Sequence, residues 1–107
     1  MTRRVLERAG YRVVEAADGV EALRVWQEHH GEVALLLTDL VMPGGTSGIE
    51  LARRLESEQP RLKVIYTSGY SAEIAGKELA LHSGENFLQK PCPLDQLLET
   101  VRHSLDT

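Results

Sequence analysis

Apolar residues along the chain switch repeatedly between helical spacing and short continuous runs, with turn formers at each switch. That alternation predicts βαβ units and a parallel sheet. Residues 3–9 read as a short helix with Gly10 suited to its C-terminal cap. Tyr11-Arg12-Val13-Val14-Glu15-Ala16 follows as a strand. Asp18 and Glu21 stand three apart, the spacing of a capping box, and open a helix through Val20, Leu23, Trp26 and Gln27 that ends near Gly31. Residues 33–38 are continuously apolar up to Thr38, as expected of a central strand covered on both faces.

A second capping-box pattern, Ser47-Gly48-Ile49-Glu50, opens a helix through Leu51, Ala52 and Leu55 that stops before Pro60. Residues 63–67 read as a strand, residues 71–81 as a weaker helix interrupted by Gly76, and Asn86-Phe87-Leu88 as a short strand. Leu94, Leu97, Leu98, Val101 and Leu105 then lie on one face of a last helix. The order is αβαβαβαβα, four strands in a doubly wound α/β arrangement that begins with a helix.

The bulk numbers narrow the function classes. At 107 residues the chain is long enough for one core. A net charge of -4, with basic residues scattered, argues against direct nucleic-acid binding. The one cysteine, Cys92, forms no internal disulfide and fits a reducing, cytoplasmic setting. No apolar run approaches the roughly 20 residues of a membrane span. His29, His30, His82, His103 and Cys92 show no metal-binding spacing, and neither G-x-G-x-x-G nor a P-loop motif is present.

In open α/β sheets, sites form outside the carboxyl ends of the strands. There the chain places Asp39 in LLLTDLVMPGG, Ser68 in YTSGY and Lys90 in FLQKP. Singly, each has an ordinary reading: Asp39 as a turn former, Ser68 as a loop residue, Lys90 as a surface charge. Together they make a carboxylate that can accept a phosphoryl group as an acyl phosphate, with a hydroxyl and an ammonium to hold the added oxygens.

These three motifs, with PGGTSGIELARRL, resemble a response regulator receiver domain of the type fused to hybrid histidine kinases, and the resemblance covers nearly the whole of residues 1–107 in order. It implies a flavodoxin-like fold and a role in two-component phosphorelay signal transduction, as a phosphoacceptor and not an enzyme in the turnover sense. By the same resemblance Asp39 is the phosphoacceptor, Ser68 the switch hydroxyl and Lys90 the phosphoryl-binding cation. Phe87 is the switch aromatic, Pro91 follows a cis bond, and the main-chain carbonyl of Val41 joins Asp39 as a Mg²⁺ ligand. The implied partner is a histidine kinase or phosphotransfer domain.

The chain departs from the family at its front. Residues 1–10 match the back half of the family's first helix, so the first strand and its acidic pair are absent and the domain reads as N-terminally truncated. Mg²⁺, which takes six oxygen ligands, is then expected to bind weakly or not at all. The strands at residues 11–15 and 33–38 would have exposed edges, met by a homodimer, a swapped dimer or rearranged pairing of the two. Two other functions share these residues: a degenerate receiver acting as a phosphorylation-independent interaction module, and an aspartate-nucleophile phosphatase. The latter is disfavoured because Val41 stands where that class has a second acid.

Overall fold

The computed structural model of the chain describes residues 2–29, 31–40, 48–68, 86–90 and 92–106. In chain order these form α1 (Thr2–Arg8), α2 (Gly19–Glu28), β1 (Leu35–Asp39), α3 (Gly48–Glu58), β2 (Lys63–Ser68), β3 (Phe87–Gln89) and α4 (Leu94–Asp106). The expected helix at residues 71–81 and the Ser47 cap lie outside the described residues.

The local signals act much as their chemistry requires. The α1 C-terminus closes by main-chain bonds from Gly10 N–H to the Glu7 carbonyl at 3.0 Å and from Tyr11 N–H to the Leu6 carbonyl at 3.1 Å. Gly10 turns the chain there at φ 100°, a conformation that a side chain would penalise. At the start of α2, Asp18 Oδ1 accepts from Glu21 N–H at 2.8 Å. Glu21 Oε1 in turn accepts from Ala17 N–H at 3.1 Å, so the box closes one residue before the cap.

β1, β2 and β3 form a parallel sheet in that order. The register sets Leu35 opposite Lys63 and Asp39 opposite Thr67, then Tyr66 opposite Phe87 and Ser68 opposite Gln89. Because successive strand side chains point to opposite faces, the sheet carries two apolar rows. Leu35, Leu37, Ile65 and Leu88 pack with Leu6 of α1 and with Leu97 and Val101 of α4. Leu36, Val64, Tyr66 and Phe87 face the other way, toward Trp26 of α2 and Leu51, Ala52 and Leu55 of α3. Helices thus cover both faces, as a doubly wound fold requires.

Two expectations change. Residues 11–16 carry no strand ladder, although Tyr11 and Val13 still pack on the cluster around Leu6 and Ile65. An extended segment becomes a strand only beside a partner, and none lies next to it among the described residues; it does not pair with β1 either. Nor is β1 covered as a central strand: Leu35, Leu36 and Leu37 are half-buried, because among the described strands β1 pairs with β2 alone.

The open edge of β1 has a defined phase. The Ala34 carbonyl accepts from Lys63 N–H at 3.1 Å, and Leu40 N–H donates to the Thr67 carbonyl at 3.0 Å. In a parallel ladder the bonds to one neighbour come from alternate residues. The main-chain groups of residues 34, 36, 38 and 40 therefore serve β2, and those of Leu35, Leu37 and Asp39 face the open side.

Candidate phosphoacceptor site

The site continues one of the two apolar rows. Leu35 and Leu37 are followed on their face by Asp39, Ile65 by Thr67, and Leu88 by Lys90, so an acid, a hydroxyl and an amine gather at the carboxyl end of the sheet. Lys90 Nζ lies 2.7 Å from Asp39 Oδ1. The Thr67 hydroxyl donates to the same oxygen. Among the described residues, Oδ2 has no donor.

Both charged side chains are about half exposed, at 52% for Lys90 and 45% for Asp39, so this is an accessible pair at a rim and not a buried ion pair. Partial burial pushes the Asp39 carboxyl upward. The hydrogen bond from Lys90, the one from Thr67 and the Lys90 charge together outweigh it and leave the carboxyl below its ordinary value. Asp39 is therefore an anion at neutral pH, as a nucleophile must be.

Backbone contacts fix the frame. Lys90 N–H donates to the Ser68 carbonyl at 2.7 Å, which ties the ends of β2 and β3 together. Gly48, the first residue of α3, donates its N–H to the Leu40 carbonyl at 3.0 Å and presses against the main chain of Asp39.

Of the residues picked from sequence, Asp39 and Lys90 come into direct contact. Ser68 stands at the end of β2, in the row of Val64 and Tyr66, and enters the site through its carbonyl. Phe87 is buried at 1% exposure with Leu40, Ala52 and Tyr66, its ring turned inward. Val41 and Pro91 lie outside the described residues. Thr67 is the residue that sequence reasoning missed. Val64, Ile65 and Tyr66 are apolar on both faces, so no alternation shows which of the neighbouring hydroxyls shares the face of Asp39.

Whether these residues suit Mg²⁺ can be judged from their donors. No group of three His, Cys, Asp or Glu side chains among the described residues could hold a metal. Asp39 brings one carboxylate, and one of its oxygens already faces an ammonium. These residues do not fit a tight Mg²⁺ site, because that ion demands near-octahedral oxygen ligation.

Comparison with known proteins shows the family and the fold. The response regulator receiver domain family matches residues 1–102. The chain belongs to the response regulator receiver domain family. It is 41% identical over 103 residues to sensor kinase CckA of Brucella abortus (strain 2308), covering 96% of this chain and 11% of that protein. To the response regulator receiver protein CpdR of the same strain it is 35% identical over 102 residues, covering 95% of this chain and 82% of that one. The crystal structure of the receiver domain from hybrid histidine kinase CckA superposes with a TM-score of 0.78 at 34% identity, over 97% of this chain and 85% of that one. The receiver chain thus spans about a tenth of the kinase it matches and most of the receiver protein CpdR. The flavodoxin-like fold expected of it is the fold of these neighbours. Among its described residues, no helix is long and apolar enough to cross a membrane.

Proposed function

We propose that this receiver domain accepts a phosphoryl group on Asp39 from a histidine kinase or phosphotransfer domain in a two-component phosphorelay, in the cytoplasm and without enzymatic turnover of its own. One observation supports the reading above the rest. An anionic Asp39 stands at the carboxyl end of the sheet with Lys90 at 2.7 Å on one oxygen, while its other oxygen has no donor among the described residues. An ammonium so placed offsets charge on an incoming phosphoryl group. Ser68 would hydrogen-bond the phosphoryl oxygens, and Phe87 would report the switch by leaving its inward position. Asp39 and the Val41 carbonyl would be the protein ligands of Mg²⁺, with an affinity weakened because no cluster of acids stands beside Asp39 among the described residues.

Incubation with acetyl phosphate and Mg²⁺ is expected to add about 80 Da to the intact chain, as an acyl phosphate on Asp39. The Asp39→Asn variant should show no addition. An unmodified parent chain would instead favour a receiver that works through protein contacts alone, and sustained phosphate release from a model ester would favour a phosphatase.

The outer edge of β1, unpaired among the described residues, also favours pairing with a second copy, since an unpaired strand edge is a template for another strand. Light scattering behind a sizing column is expected to give twice the monomer mass, and a strictly monomeric mass over a wide concentration range would refute the dimer.

A further inference from the structure

We propose that Thr67 is a positioning residue that shortens the lifetime of the Asp39 acyl phosphate, because its hydroxyl and Lys90 share Oδ1 and leave Oδ2 to carry the phosphoryl group. The role rests on the phosphoacceptor reading above. It is distinct from that of Ser68, which is expected to meet the phosphoryl group itself.

The chemistry follows from which oxygen is held. Asp39 Oδ2 attacks the phosphorus of an acyl phosphate donor, and the bond from phosphorus to the donor's carboxyl oxygen breaks, its electron pair leaving on the carboxylate. Oδ1 is then the carbonyl oxygen of a mixed anhydride and bears little charge. In hydrolysis a water oxygen attacks phosphorus, the Oδ2–P bond breaks, and its electron pair returns to the Asp39 carboxylate. One water hydrogen stays on the phosphate as hydroxyl and the other leaves as a proton.

Negative charge on Oδ1 therefore grows as the Oδ2–P bond breaks. A hydrogen bond to a charged acceptor is about twice as strong as one to a neutral acceptor. The Thr67 hydroxyl thus favours the broken bond over the intact one. Phosphoryl transfer passes through a loose transition state in which the leaving oxygen already carries much of its charge, so the preference is felt in the rate. Register makes the placement firm: Thr67 is the direct partner of Asp39 across the β1–β2 ladder and shares its face of the sheet.

The test compares Thr67→Val, which keeps the shape and loses the hydroxyl, with Thr67→Ser, which keeps the hydroxyl. The parent and each variant of the 107-residue chain are phosphorylated with acetyl phosphate, freed of donor, and followed by intact mass until the added phosphoryl group is gone. Thr67→Val is expected to lengthen the half-life about fivefold, the size of effect that follows from a charge-assisted bond replaced by none. Thr67→Ser should stay within about twofold of the parent, since it retains the same donor. Equal half-lives for Thr67→Val and the parent would overturn the role of Thr67 and leave the phosphoacceptor reading intact. Thr67→Ser decaying as slowly as Thr67→Val would also overturn it, because the hydroxyl would then not be the cause. A parent chain that takes up no phosphoryl group would overturn both. Should Thr67→Val lack the parent's circular dichroism spectrum, Thr67→Ala takes its place on the same criteria.

Discussion

Phe87→Ala is expected to lower folding stability by about 3–5 kcal/mol, the usual cost of emptying a large aromatic site in a core. The ring is 1% exposed and fills the space between Leu40, Ala52 and Tyr66, where β3 and β2 meet α3. Ala52 is fully buried and offers no long side chain to move into the vacancy, and Leu40 is held by its main-chain bond to Thr67, so the cavity collapses poorly. Against a total stability of about 5–15 kcal/mol for a domain, the loss would leave a substantial unfolded fraction at moderate temperature. In urea, with a slope of about 1–3 kcal/mol/M, the midpoint should fall by roughly 2 M. A midpoint within about 0.3 M of the parent would show that the ring does not support the core as described. The same burial bears on signalling: an outward Phe87 exposes an aromatic surface to water, so a phosphorylation-driven switch at this residue must supply new contacts of similar size.

The second large effect is expected from Gly48→Ala. A Cβ at Gly48 would stand 1.9 Å from the carbonyl oxygen of Asp39, 2.9 Å from its carbonyl carbon and 3.1 Å from the Thr38 hydroxyl. Two of those atoms are backbone, so no side chain can swing aside. Alanine is worth about 1 kcal/mol more than glycine inside a helix, but here that gain is outweighed, since overpacking against a fixed neighbour costs about 1–3 kcal/mol or more. Relief requires α3 to back away from the end of β1 or Asp39 to shift, and the site suffers either way. A displacement of about 1 Å in a reacting group can cost as much as a hundredfold in rate. Phosphorylation by acetyl phosphate should therefore slow by about tenfold or more, along with a lower melting temperature. A Gly48→Ala chain that melts and is phosphorylated like the parent would show that the contact between α3 and β1 is looser than described.

How much of this was legible in the sequence depends on the range over which each feature is decided. Asp18 caps α2 because its oxygen needs only an N–H three residues on, and the leucines of α4 face the core because one stripe of one helix suffices. Asp39 and Lys90 could be paired from sequence because each ends a strand, and ends of parallel strands lie on one edge. Features that depend on a neighbour could not be read so well. Residues 11–16 have strand composition but no ladder, since composition cannot supply a partner. Leu35, Leu36 and Leu37 suggest complete burial, yet their exposure is set by what lies beside β1. Thr67 and Ser68 are adjacent hydroxyls, and the β1–β2 register, invisible in a run apolar on both faces, decides that Thr67 reaches Asp39.

The split edge of β1 gives the strand an isotopic signature. Amide hydrogens of Leu36, Thr38 and Leu40 are committed to β2 and should exchange with deuterium slowly, while those of Leu35, Leu37 and Asp39 point away from it and should exchange fast. Protection would then alternate residue by residue from Leu35 to Leu40. Any chain that docks on the open side would erase that alternation. The strand thus records, one amide at a time, whether its free edge is occupied.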